Sequence, residues 1–165
     1  GKVQPIEIVR AAMLLRANTL SKGYSGVRLK VVQTFVDMLN KGVTPVVFEK
    51  GSVGTSGDLS PMSQLGLEVI GEGEAFYQGE RMPGGEAMKR AEIEPVTLSY
   101  KEGLGLINGS QMLTGQSALI IYDAERLLKN AQIASAMSID ALRSVEKAFD
   151  ARLHAVRPYE GQNVV

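Results

Sequence analysis

The sequence predicts a mainly α fold: long helices interrupted by one structured glycine-rich loop, with a place for one small β-hairpin. Apolar residues recur at helical spacing over long stretches near both ends. Most of the 18 glycines crowd between Gly42 and Gly115, and the last third is nearly free of them until Gly161. That asymmetry puts a loop-rich middle between helical ends.

The first helix follows Pro5, a residue suited to a first helical turn, and carries Ile6, Val9, Met13, Ala17 and Leu20 on one stripe. The run Lys22-Gly23-Tyr24-Ser25-Gly26 breaks it. A second helix places Val31, Phe35, Met38 and Leu39 together and ends near Gly42, with Pro45 closing the exit. Val46-Val47-Phe48 is short and β-prone. The glycine-rich loop occupies residues 51–61, and a helix over Met62–Ile70 stops at Gly71. Ala75-Phe76-Tyr77 and Glu80-Arg81-Met82, joined through Gln78-Gly79, read as the hairpin. Short helices are expected over Gly85–Ala91 and Lys101–Leu106. The longest helix is expected over residues 111–137, with Ile120, Ala124, Leu127, Leu128, Ala131 and Ala134 at helical spacing. Ser138 is read as the cap of a further helix through Ala148, and Arg157–Gln162 as irregular. Long helices with apolar stripes need partners, and this chain supplies few, so a larger bundle or an oligomer is expected.

Composition narrows the function classes. The 165 residues suffice for one core and are read as a single segment, 1–165. Eighteen basic residues balance 18 acidic ones, which points to neither nucleic acid nor an anionic membrane. Cysteine is absent, excluding disulfides and thiolate metal sites, and no metal site is expected. No apolar run reaches membrane-spanning length, and Gly1-Lys2-Val3-Gln4-Pro5 carries no signal-peptide pattern. A cytoplasmic location is expected.

The loop Gly51-Ser52-Val53-Gly54-Thr55-Ser56-Gly57-Asp58-Leu59-Ser60-Pro61 fits none of the common glycine motifs. No lysine follows Gly57 as a phosphate-binding loop requires. Gly103-x-Gly105-x-x-Asn108 lacks the last glycine of a dinucleotide fingerprint. Gly54-Thr55-Ser56-Gly57-Asp58 has Asp where a hydrolase elbow needs Gly, and the lone histidine, His154, is remote in sequence. Another chemistry suits Thr55-Ser56-Gly57. Glycine offers the least crowded amide nitrogen. In a tight turn Gly57 N can attack the Thr55 carbonyl carbon; loss of water closes a five-membered imidazolone. Loss of a second water, from Ser56, leaves an exocyclic methylidene, an electrophile made from the chain itself. Proximity of the reacting atoms is the main requirement. Taken alone, Ser56-Gly57-Asp58 reads more readily as a glycine-rich turn whose Ser and Asp satisfy backbone amides; it is the whole segment that changes the reading.

The whole segment closely resembles the Gly-Ser-Val-Gly-Ala-Ser-Gly-Asp-Leu-Ala-Pro signature of the histidine and phenylalanine ammonia-lyase family. Ile70-Gly71-Glu72-Gly73-Glu74-Ala75, Lys101 through Ser110, and Ala17 through Gly26 are also similar to family segments. Phe149-Asp150-Ala151-Arg152-Leu153-His154, with Arg157-Pro158 and Gly161-Gln162, resembles the histidine branch. The resemblance covers essentially the whole chain. Thr55 stands where Ala is usual, Gly105 where Ala is, Ser110 where Thr is, and Tyr159 where His is common. The Thr55 side chain stays outside the new ring, so cyclisation should survive. Gly105 and Ser110 fall near the expected pocket and could shift its shape.

The resemblance implies the family's helical-bundle fold. It also implies a cofactor, 4-methylidene-imidazol-5-one (MIO), formed autocatalytically from Thr55, Ser56 and Gly57 with no external cofactor. Asn108 would hydrogen-bond the MIO carbonyl oxygen and Leu104 would line the substrate pocket. Asp58 is open between loop support and capping the following helix. A structural role is expected for His154, and backbone or subunit contacts for Lys101 and Glu102. Arg143, Lys147, Arg152 and Arg157 are expected to form a solvated or interface face. The implied reaction is elimination of ammonia from L-histidine to give urocanate. The family's tyrosine base falls upstream of Gly1 and its carboxylate-binding residues mostly downstream of Val165, so the chain reads as an internal fragment, inactive alone. The implied parent is a homotetramer, and a dimer is expected for the fragment. A phenylalanine or tyrosine lyase or an aminomutase of the same family is the alternative. A non-catalytic helical scaffold is the second.

Overall fold

The computed structural model describes residues 1–164, which divide into two compact units, residues 1–119 and residues 120 onward.

In the first unit, α1 (Ile6–Ser21) packs on α2 (Leu29–Lys41). Pro5 is the residue just before α1 rather than inside it. Gly42 ends α2 in the left-handed conformation (φ 79°), letting Val43 N bond Met38 O at 2.9 Å. A small antiparallel sheet follows, ordered β1 (Thr44–Pro45), β2 (Glu74–Tyr77), β3 (Glu80–Pro83). Thr44 pairs with Phe76, and Ala75 with Met82, so the expected hairpin is present. The β-prone run 46–48 is not a strand; pairing with β2 falls two residues earlier, and Phe48 makes only an isolated bridge to Val3. Helix α3 (Leu59–Val69) starts three residues before the expected Met62, with Pro61 in its first turn. Helices α4 (Gly84–Arg90) and α5 (Glu102–Ile107) match the expected short helices closely. The core joins Val9, Met13 and Leu20 of α1 to Val31, Phe35 and Met38 of α2, Met62 and Leu65 of α3, Met88 and Leu106.

Helix α6 (Gln111–Ala141) begins in this unit, where Met112 and Gly115 are buried. It runs through Ser138, whose hydroxyl donates to Ala134 O at 2.8 Å inside the helix. Ser138 therefore caps nothing, and the further helix expected through Ala148 is replaced by the last turn of α6 and a 3-10 turn over Glu146–Phe149.

The second unit continues with α7 (Ala151–Ala155), capped by Asp150 through Arg152 N, and α8 (Glu160–Val164), where irregular chain was expected. A five-residue helix carries too little periodicity to be seen in sequence. Leu127, Met137, Leu142, Phe149 and Leu153 are all exposed, and the unit has no buried side chain among the described residues. Among those residues no helix is long and apolar enough to cross a membrane. So much apolar surface on separate helices favours self-association. Light scattering of this chain should give a mass above the monomer; a monodisperse monomer would contradict that.

Candidate active site

The loop that precedes α3 turns sharply at the predicted triplet. Ser56 has φ 59° and Gly57 φ 95°, so consecutive residues occupy the left-handed region. The turn is held from the far side of the sequence. Gly57 forms a parallel bridge with Gly109, and Asp58 N donates to Gly109 O at 2.8 Å. Contact is close enough that a Cβ at Gly57 would overlap the Gly109 carbonyl oxygen. Only glycine satisfies both the dihedral and the spacing here.

Asp58 is buried, and of the two readings left open by sequence its bonds serve loop support rather than capping of the following helix. Its side chain makes no cap to its own helix, α3. Instead Oδ2 accepts from Leu113 N at 2.8 Å in the first turn of α6, where the backbone amides lack helical partners. Ser52 Oγ lies 3.5 Å from Asp58 Oδ1. Backbone and side chain of Asp58 thus tie the loop to the Gly109 connector and to α6 together.

Asn108 ends α5 and directly precedes the bridged Gly109. Its side chain is exposed and, among the described residues, makes no hydrogen bond within the chain. Leu104 is half-exposed at 52%. Both line a concavity of about 260 Å³ with Arg16, Ser25, Lys101 and Gly105. Thr55, Ser56 and Gly57 do not line it; Thr55 and Ser56 are exposed. The connection between triplet and concavity is the Gly57–Gly109 bridge.

Two charged groups hold this arrangement, Glu102 from the Lys101–Ser110 motif and Arg16, which no motif revealed. Glu102 is 1% exposed and accepts from Arg28 Nε at 2.8 Å, Arg28 Nη2 at 2.7 Å and the backbone amides of Arg28 and Ser99. Those donors hold its carboxyl down at about 2. The expected backbone-fixing role of Glu102 is observed. Arg16 is 2% exposed and makes no ion pair among the described residues. Its guanidinium bonds Gly105 O and, at 3.2 Å, Gln111 Oε1, while Nε stays unpartnered. Burial pulls its pKa down, though a guanidinium keeps its proton regardless. A sequence signal for Arg16 existed: it sits on the stripe of Val9, Met13 and Leu20, three residues after Met13 and four before Leu20.

His154 is half-buried in the second unit, and Arg143, Lys147, Arg152 and Arg157 are exposed there. No group of acidic residues and histidine among the described residues is arranged to hold a metal ion.

Comparison with known proteins gives a consistent family. The family described as aromatic amino acid lyase matches residues 1–165. A histidine ammonia-lyase of Alkaliphilus oremlandii is 57% identical over 164 residues, 98% of this chain and 32% of that protein. The crystal structure of a histidine ammonia-lyase from Trypanosoma cruzi superposes with a TM-score of 0.92 at 38% identity, over 98% of this chain and 32% of that one. A phenylalanine aminomutase of Pantoea agglomerans superposes with a TM-score of 0.87 at 37% identity, over 94% of this chain and 30% of that one. The chain spans about a third of the length of the relatives it matches.

Proposed function

This chain belongs to the aromatic amino acid lyase family, and from that premise we propose that it is the electrophile-forming segment of a histidine ammonia-lyase. The observation that carries the proposal is the left-handed turn at Ser56-Gly57 locked onto Gly109. Thr55, Ser56 and Gly57 supply the ring of MIO. The Gly57 nitrogen bonds the Thr55 carbonyl carbon, and that carbonyl oxygen leaves as water. The Ser56 hydroxyl and α-hydrogen leave as the second water. The residues present fit this chemistry: the turn is built around a glycine whose neighbour forbids any Cβ, and the serine hydroxyl is free of structural bonds among the described residues. The group supplies an electrophilic carbon that makes the substrate's amine a better leaving group. Asn108, free to donate beside the bridged glycine, polarises the ring carbonyl as an oxyanion donor would. Leu104 supplies an apolar wall, and the substrate is a small molecule, an amino acid.

Histidine as substrate, with urocanate as product, is supported by relatives of that name at up to 57% identity. A phenylalanine- or tyrosine-directed lyase or aminomutase is the second reading, favoured by the aminomutase structure, 37% identical against 38% for the histidine ammonia-lyase structure. Turnover of each amino acid by the full-length protein separates them. The full-length protein is proposed to be a homo-oligomer, and this segment alone to be inactive.

The deciding experiment is the intact mass of the purified full-length protein. Loss of two waters, localised to the peptide containing Thr55-Ser56-Gly57, is expected in the full-length protein. An unmodified peptide there would overturn the lyase reading and favour a helical scaffold without chemistry.

A further inference from the structure

Both ends of the connector that carries Asn108 are fastened to one side chain of α1. A helix leaves its last carbonyls without partners. At the end of α5, Gly105 O takes Arg16 Nη2. Gln111, the first residue of α6, takes Arg16 Nη1 through Oε1 at 3.2 Å, and returns its own Nε2 to Thr19 Oγ1 of α1 at 3.3 Å. Between these anchors lies Gly109, where a Cβ would sit 2.7 Å from Arg16 Nη1. The connector therefore rests directly on the guanidinium. Gly109 in turn bridges Gly57 and accepts from Asp58 N.

We propose that Arg16 is a positioning residue for ring closure: it holds Asn108–Ser110 at the height that presents Gly57 to the Thr55 carbonyl. The inference rests on the lyase reading above. Apolar packing gives no reason for a charge at a position 2% exposed on the core stripe of α1; two fixed acceptors do. A planar guanidinium spans two acceptors in a set geometry, whereas an ammonium offers one point of attachment. Misplacement of reacting groups by a fraction of an ångström is costly to a proximity-driven reaction. Arg16 does not touch the triplet; it acts through Gly109.

The test uses the full-length protein with Arg16→Met, Arg16→Lys and Gln111→Met. The readouts are intact mass, thermal melting, and kcat and KM. Arg16→Met is expected to fall about tenfold in the fraction that has lost both waters. Arg16→Lys and Gln111→Met, each leaving one anchor, should fall between it and the parent. The kcat should follow the cyclised fraction. A role in stability alone would lower the melting temperature and leave folded protein fully cyclised. Full water loss in folded Arg16→Met overturns the inference; if that variant does not fold, full water loss in both Arg16→Lys and Gln111→Met does so. A parent that itself loses no water overturns the lyase reading and this inference together. A modified parent with fully modified variants overturns this inference alone.

Discussion

Ser56→Ala in the full-length protein is expected to lower lyase turnover by on the order of ten-thousandfold, about 5 kcal/mol in barrier height, without unfolding it. Fold and chemistry separate cleanly at this residue. Ser56 is exposed, and among the described residues its hydroxyl bonds nothing that the fold needs. Alanine and serine meet similar strain at φ 59°. On the proposed route the hydroxyl has one irreplaceable use, as the leaving group of the second dehydration. Without it the methylidene carbon cannot form, and at most one water can be lost from the peptide. Mass and turnover should therefore fail together while the melting temperature holds. The nearby Ser52→Ala is the control, since Ser52 meets Asp58 only at 3.5 Å. Turnover by Ser56→Ala within tenfold of the parent would sink the proposed origin of the electrophile.

The triplet proposed to form the electrophile could be singled out in sequence because the proposed chemistry depends on residue identity, which a sequence states outright. Helices α1 and α2 were legible because a buried face imposes a period that their apolar residues keep. Strand β1 was not. Its residues, Thr44-Pro45, include a proline, tolerated because β1 is an edge strand, and its place is set by the register of β2 some thirty residues later. Val46-Val47-Phe48 had the better propensity and lost to that partner. Ser138 misled for a related reason: a serine can cap a helix or bond the carbonyl four residues back, and only the surrounding turns decide. Within the site, the bridge from Gly57 to Gly109 and the reach of Asp58 to Leu113 span more than fifty residues of sequence, so no local pattern announces them. Arg16 and Glu68 were visible in principle, as charges on otherwise apolar stripes. What they bond, or fail to bond, required the fold.

Glu68 shows what such a charge does to stability. It lies on the buried stripe of α3 beside Leu65 and Val69, is fully buried, and among the described residues neither carboxyl oxygen has a hydrogen-bond partner. Burial alone pushes its carboxyl from an ordinary 4.5 up to about 7. The folded chain therefore holds a proton that the unfolded chain releases between pH 4.5 and about 7. Stability from this group is complete below the lower value, declines as pH rises through the window, and levels off above the upper one. The linked loss is about 3 kcal/mol. Glu68→Gln, a neutral side chain of the same shape, should abolish that slope. Urea unfolding of this chain should place the variant within about 1 kcal/mol of the parent at pH 4 and about 3 kcal/mol above it at pH 8. Equal differences at both pH values would mean that the carboxylate is solvated or paired. The neighbouring backbone sharpens the test. A Cβ at Gly84 would overlap Glu68 Oε2 and sit 2.6 Å from Glu72 O. Gly84→Ala should therefore cost about 2 kcal/mol by overpacking. Glu68→Ala should relieve the share due to the carboxylate and leave the share due to the Glu72 carbonyl, so the two substitutions should be partly, not wholly, compensating.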